Sequence, residues 1–255
     1  MRTLRLAVAV LMVASVMAVP AVSAPITVPN HSFESPAVPN TFPYVSLGID
    51  EWQRMPVPEY WTNWGYSSTD WNNTVGLFLN VPFDGNGNPA DPIDNVDGQQ
   101  AVFMFPWPGQ GLWQILDATF EVGQSYRLTA LVQGGGTMPL GVPMEIRLFF
   151  LDGKGDDVKV GAQEVLNINP PNTKIVHFPE YHLDIPTVQA GDAWAGKPIG
   201  VELISTSGLE AFDTFGYQQW EFDNIRLTAA PEPASVALLA AGLGAVLARR
   251  RSDRR

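Results

Sequence analysis

Apolar residues recur at every second position through most of the chain between residues 25 and 230, the spacing of a half-buried β-strand. Tyr126, Leu128, Ala130 and Val132 form one face of a segment whose other face carries Ser125, Arg127 and Thr129. Met144, Ile146, Leu148 and Phe150 alternate with Glu145 and Arg147, and Ile199, Val201 and Leu203 with Gly200 and Glu202. The same signal predicts strands over 28–34, 75–79, 101–105, 112–116, 158–165, 175–183 and 220–228. Turn signals punctuate them at Asp84-Gly85-Asn86-Gly87, Asp152-Gly153-Lys154-Gly155 and Gly134-Gly135-Gly136. No long helical period occurs outside the two ends, so the expected fold is all-β, a two-sheet sandwich. The stretches 36–71 and 82–98, rich in Pro, Asn, Asp and Trp, read as long surface loops.

The last strand breaks its own alternation. Trp220 and Phe222 share a face, but Ile225 and Leu227 are out of step with them by one residue. A bulge at Asp223-Asn224 returns both pairs to the core and brings the Asp223 carboxylate to the sheet rim. Asn30-His31-Ser32-Phe33-Glu34 places a second carboxylate after a strand able to pair beside the last one. Two carboxylates with backbone carbonyls make a hard oxygen cage of the kind Ca²⁺ prefers. Solvated carboxylates with no ion are the alternative.

The two ends differ from the middle. Arg2 and Arg5 precede an apolar run from Leu6 to Val19 and the small residues Val22-Ser23-Ala24, the layout of a secretory signal peptide cut after Ala24, with Ala21 as the alternative. At the other end stand Pro231-Glu232-Pro233, an apolar run over 234–248, and the basic residues Arg249, Arg250 and Arg251. A helix over that run would be about 22 Å long, short of the roughly 30 Å hydrocarbon core. It suits a transient membrane anchor, with the arginines on the cytoplasmic side. The order of these three parts resembles the PEP-CTERM sorting signal. That resemblance implies export, a brief hold in the inner membrane, an exosortase as partner, and a final place in the outer envelope, at the cell surface or in the extracellular matrix. Signal peptide (1–24), one β-sandwich domain (25–230) and sorting signal with its transmembrane helix (231–255) are the expected divisions.

Within 25–230 there are eight Lys and Arg against twenty-four Asp and Glu, a net charge of −16. Such a surface argues against nucleic acid and anionic lipid, and suits cations or neutral polymers. The absence of cysteine removes disulfides, thiolate metal sites and cysteine nucleophiles. The three histidines His31, His177 and His182 are too scattered for a transition-metal site, with the last two expected in one strand region. Asp84, Asn86, Asn88, Asp91, Asp94 and Asp97 begin like a calcium loop, but Pro89 and Asn95 stand where the EF-hand pattern needs Gly and Glu. No nucleophile, base and orienting partner occur in a recognisable motif, so no catalytic residue is assigned and a non-enzyme is expected.

Asn30 to Glu34, Gly123 to Leu128 and Glu221 to Leu227 together resemble the galactose-binding-like jelly rolls of carbohydrate-binding modules. The resemblance implies a jelly-roll sandwich and, at the positions matching the family's first-strand acid and last-strand aspartate, a structural calcium on Glu34 and Asp223. Sugar recognition needs flat apolar faces with polar groups nearby. Trp52, Tyr60, Trp61, Trp64, Tyr66 and Trp71 fall within twenty residues, and Trp107 and Trp113 follow. Trp61, Trp113 and Trp220 are assigned to packing, and Trp64, Trp71 and Trp107 to a sugar-binding surface. The functional expectation is a non-catalytic polysaccharide-binding or structural component of the envelope or matrix. The rivals are a small polysaccharide-active enzyme, a glycoside hydrolase or lyase, and a matrix protein that binds other proteins.

Overall fold

Most of the period-two segments become strands, and they close two antiparallel sheets over a shared apolar interior. A computed structural model describes residues 23–81, 92–209 and 218–231. Its elements are β1 (Ala24–Ile26), β2 (Val45–Ser46), β3 (Gln53–Arg54), α1 (Glu59–Asn63), α2 (Ser68–Asn72), β4 (Val75–Leu79), β5 (Gln100–Met104), β6 (Gly111–Thr119), β7 (Gln124–Gly136), β8 (Pro143–Leu151), β9 (Asp157–Leu166), β10 (Glu180–Ile185), β11 (Pro198–Ser205) and β12 (Gln218–Pro231). The larger sheet runs β10-β7-β12-β5-β4-β2, with β1 on the far half of β12; the smaller runs β3-β6-β11-β8-β9. From β5 onward, every connection except the β8–β9 hairpin crosses between the sheets, the path of a jelly roll.

The core is built by alternation. Leu128, Ala130 and Val132 from β7, Trp220, Phe222, Ile225 and Leu227 from β12, and Val102 and Met104 from β5 meet Met144, Ile146, Leu148, Val201 and Leu203 of the opposite sheet. Each such large side chain withdrawn from water contributes about 1.5–3 kcal/mol before conformational entropy is charged against it. The bulge in β12 is present. Asp223 pairs with Leu131 and Arg226 with Thr129, so one extra residue on β12 restores Ile225 and Leu227 to the core. Asn224 takes the positive φ of 53° that the irregularity requires.

Several expectations are corrected. Residues 28–34 form turns rather than a strand, with Asn30 and Phe33 at positive φ, and it is β1 just before them that pairs with β12. Residues 175–179 are irregular, so His177 lies outside β10 while His182 lies within it. Gly134 and Gly135 sit inside β7, where they serve close packing and not a turn. The stretch 36–71 contains two short strands and two five-residue helices. Residues 1–22 of the expected signal peptide and the C-terminal transmembrane helix lie outside the described residues, as do Glu232, Pro233 and the three arginines of the sorting signal. Among the described residues no helix is long and apolar enough to cross a membrane.

Candidate functional site

The strand β12 and the loops above its first half concentrate the chemistry. Because Trp220 and Phe222 face the core, Gln219, Glu221 and Asp223 face the opposite side of the larger sheet. That outer face is not bare. Ile93, Ala101, Leu131 and Phe178 form a second apolar cluster with Phe78, Val96 and Ile175, so the segments around 93–96 and 175–178 lie across the sheet. Asn95 fixes them to each other: its side-chain amide donates to the Phe178 carbonyl and its Oδ1 accepts from the Phe178 amide, both at 2.8 Å.

Glu221 is buried beside this cover, 8% exposed, and paired across the ladder with Gln133 and Phe103. A Cβ at Gly135 would meet Ile175 Cδ1 at 2.6 Å, and one at Gly76 the Phe103 ring at 2.9 Å. Absence of those side chains lets Ile175 and Phe103 close down around the carboxyl. Gln219 Nε2 donates to Glu221 Oε1, the only polar partner among the described residues that opposes its loss of water. Burial wins, and the Glu221 pKa is pushed up to about 7, so near neutral pH the group can hold or release a proton. No motif in the sequence pointed to Glu221. Its place on the outer face follows from the alternation with Trp220 and Phe222, but its burial depends on residues far earlier in the chain, from Ile175 back to Gly76.

Two residues along, Asp223 is fully buried. Its Oδ2 accepts the Asp97 amide at 2.6 Å, while its Oδ1 and the Asn224 Oδ1 have no hydrogen-bond partner. Desolvation, with the negative charges of Asp97 and Glu34 adding to it, raises the Asp223 pKa to about 8. Glu34 Oε1 accepts the amides of Gln99 and Gln100 at 2.8 Å. The neighbourhood is thus made of three segments: the 29–34 turn, whose His31 carbonyl accepts the Ile225 amide, the 94–100 segment, and the bulge. Orphaned oxygens next to two further carboxylates fit a hard cation in donor chemistry. Among the described residues, however, no three His, Cys, Asp or Glu side chains converge as a cage, and Glu34 is already committed to backbone amides. His31 and His177 each face an aspartate, Asp97 at 3.6 Å and Asp94 at 2.7 Å. Residues 84 to 91 lie outside the described residues.

The aromatic candidates gather at the end of the sandwich where β12 begins. The helix α2 is started by a capping box in which Asp70 N donates to Ser67 Oγ (3.2 Å) and Ser67 N to Asp70 Oδ2 (2.8 Å). This turns Trp71 inward, where its ring is fully buried and its Nε1 donates to the Met55 carbonyl at 2.9 Å. Trp71 therefore cannot be a sugar platform; it is the anchor on which one is built. Trp61, buried as expected, packs on Trp71 (5.3 Å between ring centroids), Trp107 (5.2 Å) and Tyr66 (4.7 Å). Trp64 is 49% exposed and Tyr66 48%, Trp107 is half-buried, and Trp64 meets Trp107 edge to face at 6.2 Å. Trp220 is in the core, whereas Trp113 is half-buried on the outer side of the smaller sheet against Phe149. Phe103 and Phe105, 6.1 Å apart, carry the aromatic run from Glu221 toward Trp107.

Fold and site together define a two-sheet sandwich with a covered, acid-bearing face and an aromatic end, followed directly by a sorting tail. The HpiC1-like family, described as HpiC1 cyclase, matches residues 24–228, and the chain belongs to it. The PEP-CTERM protein-sorting motif matches residues 229–252, which marks the protein as exported and sorted by an exosortase. No curated protein sequence matches the chain. Among solved structures, the apo form of a cyclase from Fischerella sp. superposes with a TM-score of 0.57 at 19% identity, covering 82% of this chain and 98% of that one. A Stig cyclase, Fisc from Fischerella sp. TAU, in complex with (3Z)-3-(1-methyl-2-pyrrolidinylidene)-3H-indole, gives 0.57 at 18% identity, covering 83% and 100%. Carbohydrate-binding modules are also among the structural neighbours: TmCBM61 with β-1,4-galactotriose has a TM-score of 0.39 at 14% identity over 78% of this chain and 95% of that one.

Proposed function

We propose that the protein is an exported, exosortase-sorted component of the envelope or extracellular matrix that binds a polysaccharide without transforming it, through the aromatic end of the sandwich. The observation that carries this reading is the exposure of Trp64 and Tyr66 on a stack whose lower members, Trp61 and Trp71, are buried and hydrogen-bonded. A platform held this way loses little side-chain freedom on binding and offers flat faces to sugar C–H surfaces. Acidic groups elsewhere on the surface favour neutral polymers over anionic ones. A glycan array with the exported protein tests it: Trp64→Ala should weaken binding about tenfold, one stacking contact's worth. Unchanged binding in that variant ends the proposal.

Structural calcium at Asp223 and Glu34 belongs to the same reading, with Asp97 and Asn224 as the nearest further oxygen donors. The ion would compensate the crowded charge around Asp223 and tie the three segments together. Chelation should lower the thermal midpoint of the wild-type protein and leave Asp223→Asn unchanged.

Glu221 favours a second reading, a cyclase, as the family's description names, in which this carboxyl serves as the acid. A carboxyl titrating near neutrality can give a proton to a bound substrate and take it back. Two of the solved relatives hold indole compounds, so indole compounds are the first substrates to try. Conversion by the wild-type protein that Glu221→Gln abolishes and Trp64→Ala spares would favour catalysis over sugar binding.

A further inference from the structure

The sorting tail does not hang from the domain by a linker. Its first three residues, Ala229, Ala230 and Pro231, are the last three of β12. On one side, Thr228 through Pro231 pair with Arg127 through Gln124 of β7, and Ser125 Oγ donates to the Ala230 carbonyl at 3.1 Å. On the other, Leu227 through Ala229 pair with Ile26 through Ala24 of β1. Backbone groups on both edges of the junction are therefore engaged in the sheet. Enzymes that act on a peptide take it as an extended chain and use those same N–H and C=O groups.

We infer that the sandwich gates its own sorting: the exosortase engages the tail fully only when residues 228–231 peel away from β7 and β1. The geometry says how far the opening runs. Leu227 is buried in the core and holds, whereas Thr228, Ala229 and Ala230 are only half-buried and carry small side chains, so the strand end opens at a fraction of the global unfolding cost. The clamp from β1 is the weaker of the two. It is three residues long, Pro25 has no N–H to donate, and Ile26 alone packs on the core. Its first residue, Ala24, is also the last residue of the expected signal peptide, so cleavage there removes the partner of Ala229. Processing at the N-terminus thereby loosens the junction for processing at the C-terminus.

This inference rests on the sorting assignment, and the test separates the two. Ser125→Cys with Ala230→Cys places two thiols at directly opposed positions of the ladder in a chain that has no other cysteine. In cells that carry an exosortase, conversion of full-length precursor is followed by immunoblot and intact mass. The oxidised double variant should be processed about tenfold more slowly than the same protein kept reduced. A second variant, with a flexible linker of about six Gly and Ser residues inserted between Ala230 and Pro231, should be processed faster than wild type. Equal rates for oxidised and reduced protein, or a linker that brings no gain, overturn the gate while leaving sorting intact. A wild-type precursor that is never processed removes the sorting assignment and the gate with it.

Discussion

The two halves of β12 are one continuous strand of fourteen residues, yet they have opposite characters. The first half is central in the sheet, flanked by β7 and β5, and covered on its outer side by the 93–96 and 175–178 segments. There Glu221 and Asp223 are buried and hold their protons to about pH 7 and 8. The second half, beyond the bulge, is flanked by β7 and the short β1, has no such cover among the described residues, and ends in Thr, Ala, Ala and Pro. Chemistry accumulates where the strand is enclosed, because only there is water unavailable to level the carboxyl groups. The uncovered half carries no unusual group, and its role comes from position: it is where the folded body ends and the address begins. The aromatic end and the junction thus stand at opposite ends of the same strand, about 45 Å apart at roughly 3.3 Å per residue.

Four changes would break or sharpen that contrast. The largest effect belongs to Trp71→Ala, which empties the anchor of the aromatic end and should cost about 3–5 kcal/mol in chemical denaturation. Trp64→Ala on the same cluster should cost less than about 0.5 kcal/mol. Equal losses would mean that anchor and platform are not distinct.

The pH dependence comes next. An unfolded chain releases the protons of these two groups near their ordinary carboxyl values, whereas the folded chain holds them to about 7 and 8. Between those limits the folded state binds more protons, so stability falls as pH rises from about 4 to about 8 and levels off above. Glu221→Gln should leave stability at pH 4 nearly unchanged and recover roughly 2–3 kcal/mol at pH 8. A flat wild-type profile would mean that the covered half is no drier than the open one.

Calcium bound at the proposed Asp223 site would act on the charged form of that group, so it should raise the thermal midpoint by several degrees at pH 8, and by much less at pH 5. A shift that is the same at both values would place the ion elsewhere. Ser67→Ala, which removes the capping box of α2, should cost about 1 kcal/mol, loosening Trp71 without touching the junction.

Much of this protein was legible in its residues. Alternation reported the strands from β4 to β12 to within a few positions, apart from the start of β10, and the phase slip between Phe222 and Ile225 located the bulge, because a strand has only two faces and the core admits one of them. The −16 charge, the missing cysteines and the order of parts at the two ends are compositional facts that folding does not alter. The tertiary structure alone decided which tryptophan is anchor and which is platform, since Trp64 and Trp71 have similar polar neighbours but Trp64 caps the exposed end of α1 while Trp71 lies on the buried side of α2. It also decided that Glu221 is dry, that Asp223 and Glu34 share a neighbourhood, and that the sorting junction is a strand. Each of these depends on segments far apart in the chain meeting across a sheet, and burial and pKa are set by what encloses a group rather than by what precedes it.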